Sequence, residues 1–120
     1  MALHRLRKTC LALPEAEERT TWDAPTFRIR DKIFAMAPGR EGPAVWVKAP
    51  RGSQAVLIAA APERFFAPPY VGPKGWVGIR LNAATDWDEV AALVRRSYRL
   101  VAPRRLAALV PEEDVSSGRG

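Results

Sequence analysis

Three short runs of this sequence alternate apolar and polar residues: 26–30, 44–49 and 76–81. A period of two is typical of a β-strand with one buried face. A fourth run, 33–37, follows the first after a tight connection at Asp31 and Lys32, and residues 19–22 are a candidate strand before them, ahead of a turn at 23–25. Short loops can join antiparallel neighbours, whereas a parallel pair needs a crossover of roughly a dozen residues. The sequence therefore predicts an antiparallel sheet built from hairpins.

The alternation sorts the strand residues into two faces. One face is apolar throughout, and we expect the two long helices to cover it: Phe27, Ile29, Val45, Val47, Val77, Ile79 and Leu81. The opposite face carries basic and aromatic side chains: Arg28, Arg30, Trp46, Lys48, Trp76 and Arg80. Antiparallel sheets often leave one face in solvent. The pattern therefore predicts an open face with cations beside tryptophans, although the two tryptophans could instead stack on each other and on arginine stems.

Helical spacing appears in three places. Residues 2–13 place apolar side chains on one stripe and end before Pro14. Ser53 is a candidate N-cap for a helix over residues 54–60. Asp86, with Glu89 three positions later, predicts a capped helix that runs to Pro103. A short helical turn is expected within residues 104–110.

The stretch 65–81 combines a stiff turn with a strand. Pro68, Pro69 and Pro73 restrict the backbone, while glycines at 72 and 75 permit unusual backbone shapes. Lys74 lies in this turn, between the prolines and Trp76. We expect this aromatic and basic turn, residues 69–76, to contribute to the binding of an anionic partner.

The charge of the chain favours anionic partners. The 120 residues carry a formal net charge of +6. The last nine residues are acidic on balance, and the remainder holds 18 basic and 10 acidic side chains, a net charge of +8. Nucleic acid, phosphorylated molecules and anionic membrane surfaces fit such a surface, unless the arginines are simply solvated. The length fits a single domain over residues 1–110, with the composition of a disordered tail at 111–120.

The sequence lacks the residue patterns that several kinds of catalysis and metal binding require. His4 and Cys10 are the single histidine and the single cysteine, so the sequence has no catalytic triad pattern and no paired metal-ligand motif. Glu15, Glu17 and Glu18 could act as metal ligands, but a solvated turn explains them better. We expect no enzyme activity, no cofactor and no metal. The sequence has no apparent secretory signal and no membrane-length apolar run, which predicts a cytoplasmic protein. We expect a monomer that does not have a membrane as its partner.

Short segments in a particular order resemble those of a known family. They are Leu13-Pro14-Glu15; Thr21-Trp22 with Pro25, Thr26, Phe27 and Arg28; Lys32-Ile33-Phe34-Ala35; Val45, Val47 and Lys48; Pro69-Tyr70-Val71-Gly72; Gly75-Trp76-Val77; and Ser97-Tyr98 with Leu100-Val101. In these seven segments and their order, the chain resembles the MmcQ/YjbR family of small bacterial proteins. The resemblance implies a CyaY-like α/β (α+β) fold, an antiparallel sheet with helices packed on one face. It also implies DNA binding. The frataxins of the same fold class bind iron through an acidic first helix, whereas the first helix of this chain is basic, so we expect no iron binding.

The leading hypothesis is a DNA-binding or other nucleic-acid-binding protein. In it, bases stack on Trp46 or Trp76, and five cations hold phosphates: Arg28, Arg30, Lys48, Lys74 and Arg80. One alternative is a non-catalytic module that docks a protein on the tryptophan face. Another is a binder of, or enzyme for, a small anionic metabolite that uses the turn at 69–76.

Overall fold

The computed structural model describes residues 2–21, 23–38 and 42–110. In them the helices are α1 (Ala2–Leu11), α2 (Ser53–Ala60), α3 (Trp87–Val101) and α4 (Arg104–Ala107). The strands are β1 (Glu17–Thr21), β2 (Ala24–Ile29), β3 (Lys32–Met36), β4 (Ala44–Val47), β5 (Phe65–Phe66) and β6 (Val77–Arg80), with a 3-10 turn at Gly72–Lys74 before β6. The tail predicted at 111–120 lies outside the described residues.

The six strands form one sheet in the order β1-β2-β3-β4-β6-β5, and every neighbouring pair is antiparallel. β4 and β6 are neighbours, although α2 and β5 lie between them in the chain. The chain therefore leaves the sheet after β4 and returns along the outer edge as β5. The predicted antiparallel sheet with accompanying helices is confirmed.

One face of the sheet is dry, as the alternation predicted. Its seven apolar side chains are at most 5% exposed: Phe27, Ile29, Val45, Val47, Val77, Ile79 and Leu81. α3 packs on β3 and β4, and α1 packs on α3. Leu6 and Cys10 of α1, and Leu93 and Val94 of α3, are fully buried in the same cluster.

A β-bulge between β2 and β3 adds two neighbouring side chains to this core. Phe27 pairs with Ala35 and Arg28 pairs with Ile33, which leaves Phe34 as the extra residue. Phe34 and Ala35 are both fully buried, because a bulge interrupts the alternation of side chains. The Phe34 ring meets the ring of Tyr98 edge to face, with 5.4 Å between their centroids.

Two turns differ from the sequence prediction by a residue or two. Ile29 pairs with Lys32, so Arg30 and Asp31 are the two turn residues, with φ of 52° and 68°. Positive φ at both positions is the geometry whose twist suits a two-residue hairpin. Arg30 is therefore in the turn, and Lys32 begins β3. The turn expected at 23–25 was also misplaced, because Ala24 and Pro25 already belong to β2.

The caps of the helices were predicted with mixed success. Asp86 caps α3 as expected, since its Oδ1 accepts hydrogen bonds from the backbone N–H groups of Asp88 and Glu89. Ser53 does not cap α2. It is the first helical residue after Gly52, which has φ 86°, and its hydroxyl oxygen accepts a hydrogen bond from Arg96. That bond joins the start of α2 to α3.

Candidate nucleic-acid interface

A groove of about 440 Å³ opens at one end of the sheet. Val47 pairs with Val77, so Lys48 and Trp76, each one residue beyond this pair, lie at the same end. The last turn of α3 reaches this end and supplies the opposite wall. The groove is lined by Arg28, Asp31, Lys32, Ile33, Lys48, Trp76, Leu100 and Val101. Three cations and one indole thus share a single concavity.

The cations of the groove differ from other basic side chains in their charge partners. Among the described residues, Arg28, Lys32 and Lys48 form no ion pair, whereas several arginines elsewhere do: Arg7 with Glu18, Arg19 with Glu17 and Asp31, Arg30 with Glu15, and Arg64 with Glu89. The one acidic residue of the groove, Asp31, is held by Arg19 at 3.0 Å. The groove therefore keeps an uncompensated positive charge.

Hydrogen bonds fix the position of two of these cations. The Arg28 guanidinium donates to the hydroxyls of Thr21 at 2.8 Å and Thr26 at 3.2 Å. Both partners are neutral, so the guanidinium is oriented without loss of its charge. The backbone N–H of Lys48 donates to the buried Ser97 hydroxyl at 2.9 Å. Lys48 is thereby anchored to α3 through its main chain, and its ammonium group forms no ion pair with any residue that the structure describes.

Trp76 forms a wall of the groove and is not an exposed platform. Its side chain was predicted to lie open on the sheet face, but the residue is only 8% exposed. The loop before it is tied down by Gln54 of α2, whose Nε2 donates to the carbonyls of Gly72 and Trp76. A nearly buried indole has little free ring surface for a stacking base. Its contribution here is the shape of the groove.

Trp46 lies on the open face in a half-buried apolar row. It pairs with Met36 on one side and with Gly78 on the other, and Gly78 pairs with Phe66. Trp46, Met36 and Phe66 are all partly exposed. This row, and not Trp76, is the aromatic surface that the sheet offers to solvent.

The remaining predicted site residues do not converge on the groove. The Arg30 side chain turns to Glu15, with 2.9 Å between Nη2 and the carboxylate. Arg80 pairs with Ala44, three residues and roughly 10 Å along β6 from Val77, the strand residue next to the groove. Its guanidinium lies over the Phe66 ring at 4.7 Å and donates to the Pro62 carbonyl. Lys74 is exposed on the 3-10 turn, beside the loop that leads to Trp76.

Lys32 is the groove cation that the sequence did not reveal as a site residue. It was placed in a tight connection with Asp31, whereas it begins β3 and lines the groove. Two residues separate Ile29 from Lys32, and a two-residue loop is typical of a tight hairpin. This spacing could have indicated that Lys32 belongs to the second strand.

A second basic groove, of about 430 Å³, runs along α1 and is lined by His4, Arg5, Lys8 and Thr9. All four residues come from one helix, and the Arg5 guanidinium lies over the Trp87 ring at 5.1 Å. Because Arg5 is occupied by this contact, Lys8 is the cation that this groove offers, whereas the groove at the sheet end offers Lys32 and Lys48 besides Arg28. It is a useful reference site, because its lysine, Lys8, is exposed, as Lys32 is.

Cys10 is poorly placed for chemistry. Its thiol is fully buried, and burial, with a smaller effect of the Glu18 charge, raises its pKa well above the usual range. A neutral buried thiol is a weak nucleophile. Over residues 2–21, 23–38 and 42–110, no three histidine, cysteine or acidic side chains gather as metal ligands. No helix in that part of the chain is long and apolar enough to cross a membrane.

Comparisons with known proteins agree with this fold. A model described as YjbR matches residues 11–100. The crystal structure of protein DR2400 of Deinococcus radiodurans, a DUF419 domain, is similar with a TM-score of 0.76 and 19% sequence identity. That similarity covers 98% of this chain and 94% of the other. Among curated proteins no match is found. Because the family model covers most of the sequence, this chain belongs to the YjbR family.

Proposed function

We propose that this protein binds nucleic acid, with DNA as the leading candidate, through the groove at the end of the sheet. The observation that carries the proposal is the convergence of Arg28, Lys32 and Lys48 on one groove without an ion-pair partner among the described residues. Uncompensated cations in a cleft raise the local potential and attract polyanions. The net positive charge of the whole chain acts in the same direction.

The three cations suit phosphate groups in different ways. Arg28 presents a planar guanidinium whose orientation is fixed by two threonines, and such a fork matches two phosphate oxygens. Lys32 and Lys48 are flexible point charges that follow a backbone without reading its sequence. The groove therefore favours contacts to the phosphate backbone, with little discrimination between sequences.

In this proposal the bases stack on the half-buried row of the open face, of which Trp46 is a part. Trp46 is partly exposed between Met36 and Gly78. A base stacked on an aromatic ring contributes roughly 1–3 kcal/mol. No acid, base or nucleophile is required for this function, and we propose a binding protein without catalytic activity.

A charge reversal tests the groove directly. Lys32 and Lys8 are both exposed lysines, and Lys8 lies in the reference groove on α1. We expect Lys32→Glu to weaken binding to labelled DNA in an anisotropy titration, whereas Lys8→Glu, with the same change of net charge, has a smaller effect. The salt dependence of Lys32→Ala should also be less steep, by about 0.7–0.9 in log–log slope for each phosphate that the variant no longer neutralises.

Two outcomes would contradict the proposal. If the unaltered protein has no measurable affinity for DNA or RNA at low salt, it does not bind nucleic acid. If Lys32→Glu and Lys8→Glu weaken binding equally, net charge alone attracts the polyanion, and the groove is not the site. Thermal melting of each variant excludes loss of folding as the cause.

The groove volume supports a second candidate, a small anionic metabolite. Its 440 Å³ falls within the range of small-molecule pockets, roughly 300–1,000 Å³. Oligonucleotide length separates the two functions. If the groove binds a polyanion, we expect the affinity to rise from a mononucleotide to an oligonucleotide of about ten residues. If it binds a small metabolite, the affinity for the mononucleotide should equal that for the oligonucleotide.

A further inference from the structure

The most exposed large hydrophobic side chain of the described residues lies on a strained turn. Tyr70 is 88% exposed and has a φ of 68°. A bulky residue at positive φ is a conformational outlier, and glycine or asparagine would adopt this backbone with less strain. No ring contact within the described chain uses the Tyr70 side chain. The fold therefore gains nothing visible from having a tyrosine at this position.

The turn that carries Tyr70 is rigid. Pro68 is buried, and the N–H of Gly72 donates to its carbonyl at 2.8 Å. The N–H of Val71 donates to the Pro69 carbonyl at 2.7 Å, which closes a three-residue turn with Tyr70 at its centre. This form with positive φ is rare and strained. Because the backbone beneath the ring is already restrained, binding has to order only the two side-chain torsions of Tyr70, which keeps the entropy cost low.

The turn is also connected to the groove through Trp76. Tyr70 precedes Val71, whose carbonyl accepts a hydrogen bond from the N–H of Trp76 at 3.3 Å. Trp76 is a wall of the groove. Lys74 is exposed on the same loop. The backbone that carries Tyr70 is thus tied, one residue later, to a residue that lines the groove.

We propose that Tyr70 is a base-stacking residue and that the ligand of the groove is single-stranded nucleic acid. This inference rests on the proposed function and specifies its substrate class. A duplex keeps its bases stacked on one another, so an exposed ring beside a phosphate-binding groove finds a free base face only on an unpaired strand. Stacking of this kind tolerates any base, in agreement with a groove that contacts only the backbone.

The test compares three labelled DNA probes of about ten nucleotides, a length within the range of site sizes of single-strand binders. They are a single strand, its duplex, and a single strand with abasic sites, which keeps the phosphates and lacks the bases. The variants are Tyr70→Asn, which removes the ring at a φ that asparagine tolerates, and Tyr70→Phe, which keeps it. Val56→Ala serves as a control because Val56 is 67% exposed on α2, outside the groove lining.

We expect Tyr70→Asn to melt at the same temperature as the unaltered protein or higher. Its affinity for the single strand should fall roughly 5- to 150-fold, the factor that corresponds to one stacked base. Its affinity for the abasic strand should not change. Tyr70→Phe and Val56→Ala should bind all probes normally, and the unaltered protein should bind the single strand more tightly than the duplex.

The possible failures are distinguishable. If Tyr70→Asn binds the single strand as tightly as the unaltered protein while Lys32→Glu still weakens binding, the stacking role is overturned and the proposed function stands. A duplex bound as tightly as the single strand overturns the substrate class. If the unaltered protein binds none of the probes, the proposed function and the inference fail together, and the ring becomes a candidate anchor for a protein partner.

Discussion

At the level of single residues, Ser97 and Tyr98 of α3 join several parts of the fold. The buried hydroxyl of Ser97 donates to the carbonyl of Phe34 at 2.6 Å and accepts from the N–H of Lys48 at 2.9 Å. The Tyr98 hydroxyl donates to the carbonyl of Pro14 at 2.7 Å. A buried backbone group without a partner costs roughly 1–3 kcal/mol. These two side chains thus supply hydrogen-bond partners to three backbone groups: a carbonyl in the bulge of β3, an N–H just after β4 and a carbonyl in the turn after α1.

Burial of Cys10 and Tyr98 predicts a loss of stability at alkaline pH. Burial, with smaller effects of Glu18 and Glu15 respectively, raises the pKa of both groups in the folded chain. In the unfolded chain they titrate near their ordinary values of 9.0 and 10.0. The unfolded state therefore loses protons first, and the free energy of unfolding should fall as the pH rises above about 9.

Urea denaturation at several pH values measures this effect. Cys10→Ala should show a shallower decline than the unaltered chain between about pH 8 and pH 10, because one of the two linked groups is gone. An identical decline in both proteins would show that the thiol does not contribute to the pH dependence.

At the level of elements, the ring of Phe66 packs the short edge strand β5 against its neighbour β6. Phe66 lies over Gly78 of β6, and a Cβ atom added to Gly78 would stand 2.2 Å from the Phe66 ring. Gly78→Ala should therefore displace this ring and destabilise the protein by about 1–3 kcal/mol, as overpacking usually does. In a Phe66→Ala background the same substitution should cost much less.

Thermal melting of the four proteins of this double-mutant cycle gives the coupling. Equal costs of Gly78→Ala in both backgrounds would mean that strand propensity, and not the ring, determines the need for glycine.

The sequence predicted the elements better than their junctions. The dry face followed from local alternation, which reports burial wherever one sheet face is covered. The bulge at Phe34 did not, because residues 33–37 are all apolar and carry no alternation to interrupt. The cap of α2 was misassigned because Ser53 finds a better partner in Arg96, 43 residues away. Such competition depends on tertiary contacts that propensities do not contain.

The candidate site was only partly predictable, for a related reason. The fold brings three of the predicted site residues, Arg28, Lys48 and Trp76, into one groove. Arg30 was separated from them by its ion pair with Glu15, a partner that no local pattern indicates. The burial of Trp76 likewise depends on the loop held by Gln54. Which cations are neutralised is a property of the folded surface.

At the level of the whole molecule, one core connects the sheet with α1, α3 and α4. Val47 is fully buried in it, whereas Val56 is 67% exposed on α2. We expect Val47→Asp to cost several kcal/mol, because it buries a charge without a partner. Val56→Asp should change the stability by less than about 0.5 kcal/mol.

Chemical denaturation followed by circular dichroism and by tryptophan fluorescence measures both variants. With a single core, the two signals should report one coincident transition. A Val47→Asp protein that unfolds cooperatively at the original midpoint would mean that this face of the sheet is not the buried one.

The order of the strands has a consequence for behaviour at high concentration. The sheet ends at β1 on one side and at β5 on the other. β1 has the sequence EERTT, and two of its charged side chains, those of Glu18 and Arg19, are engaged with Arg7 and Asp31. β5 is only two residues long. Polar or very short borders are poor templates for the addition of a foreign strand, so the sheet is protected at both ends against growth into fibrils.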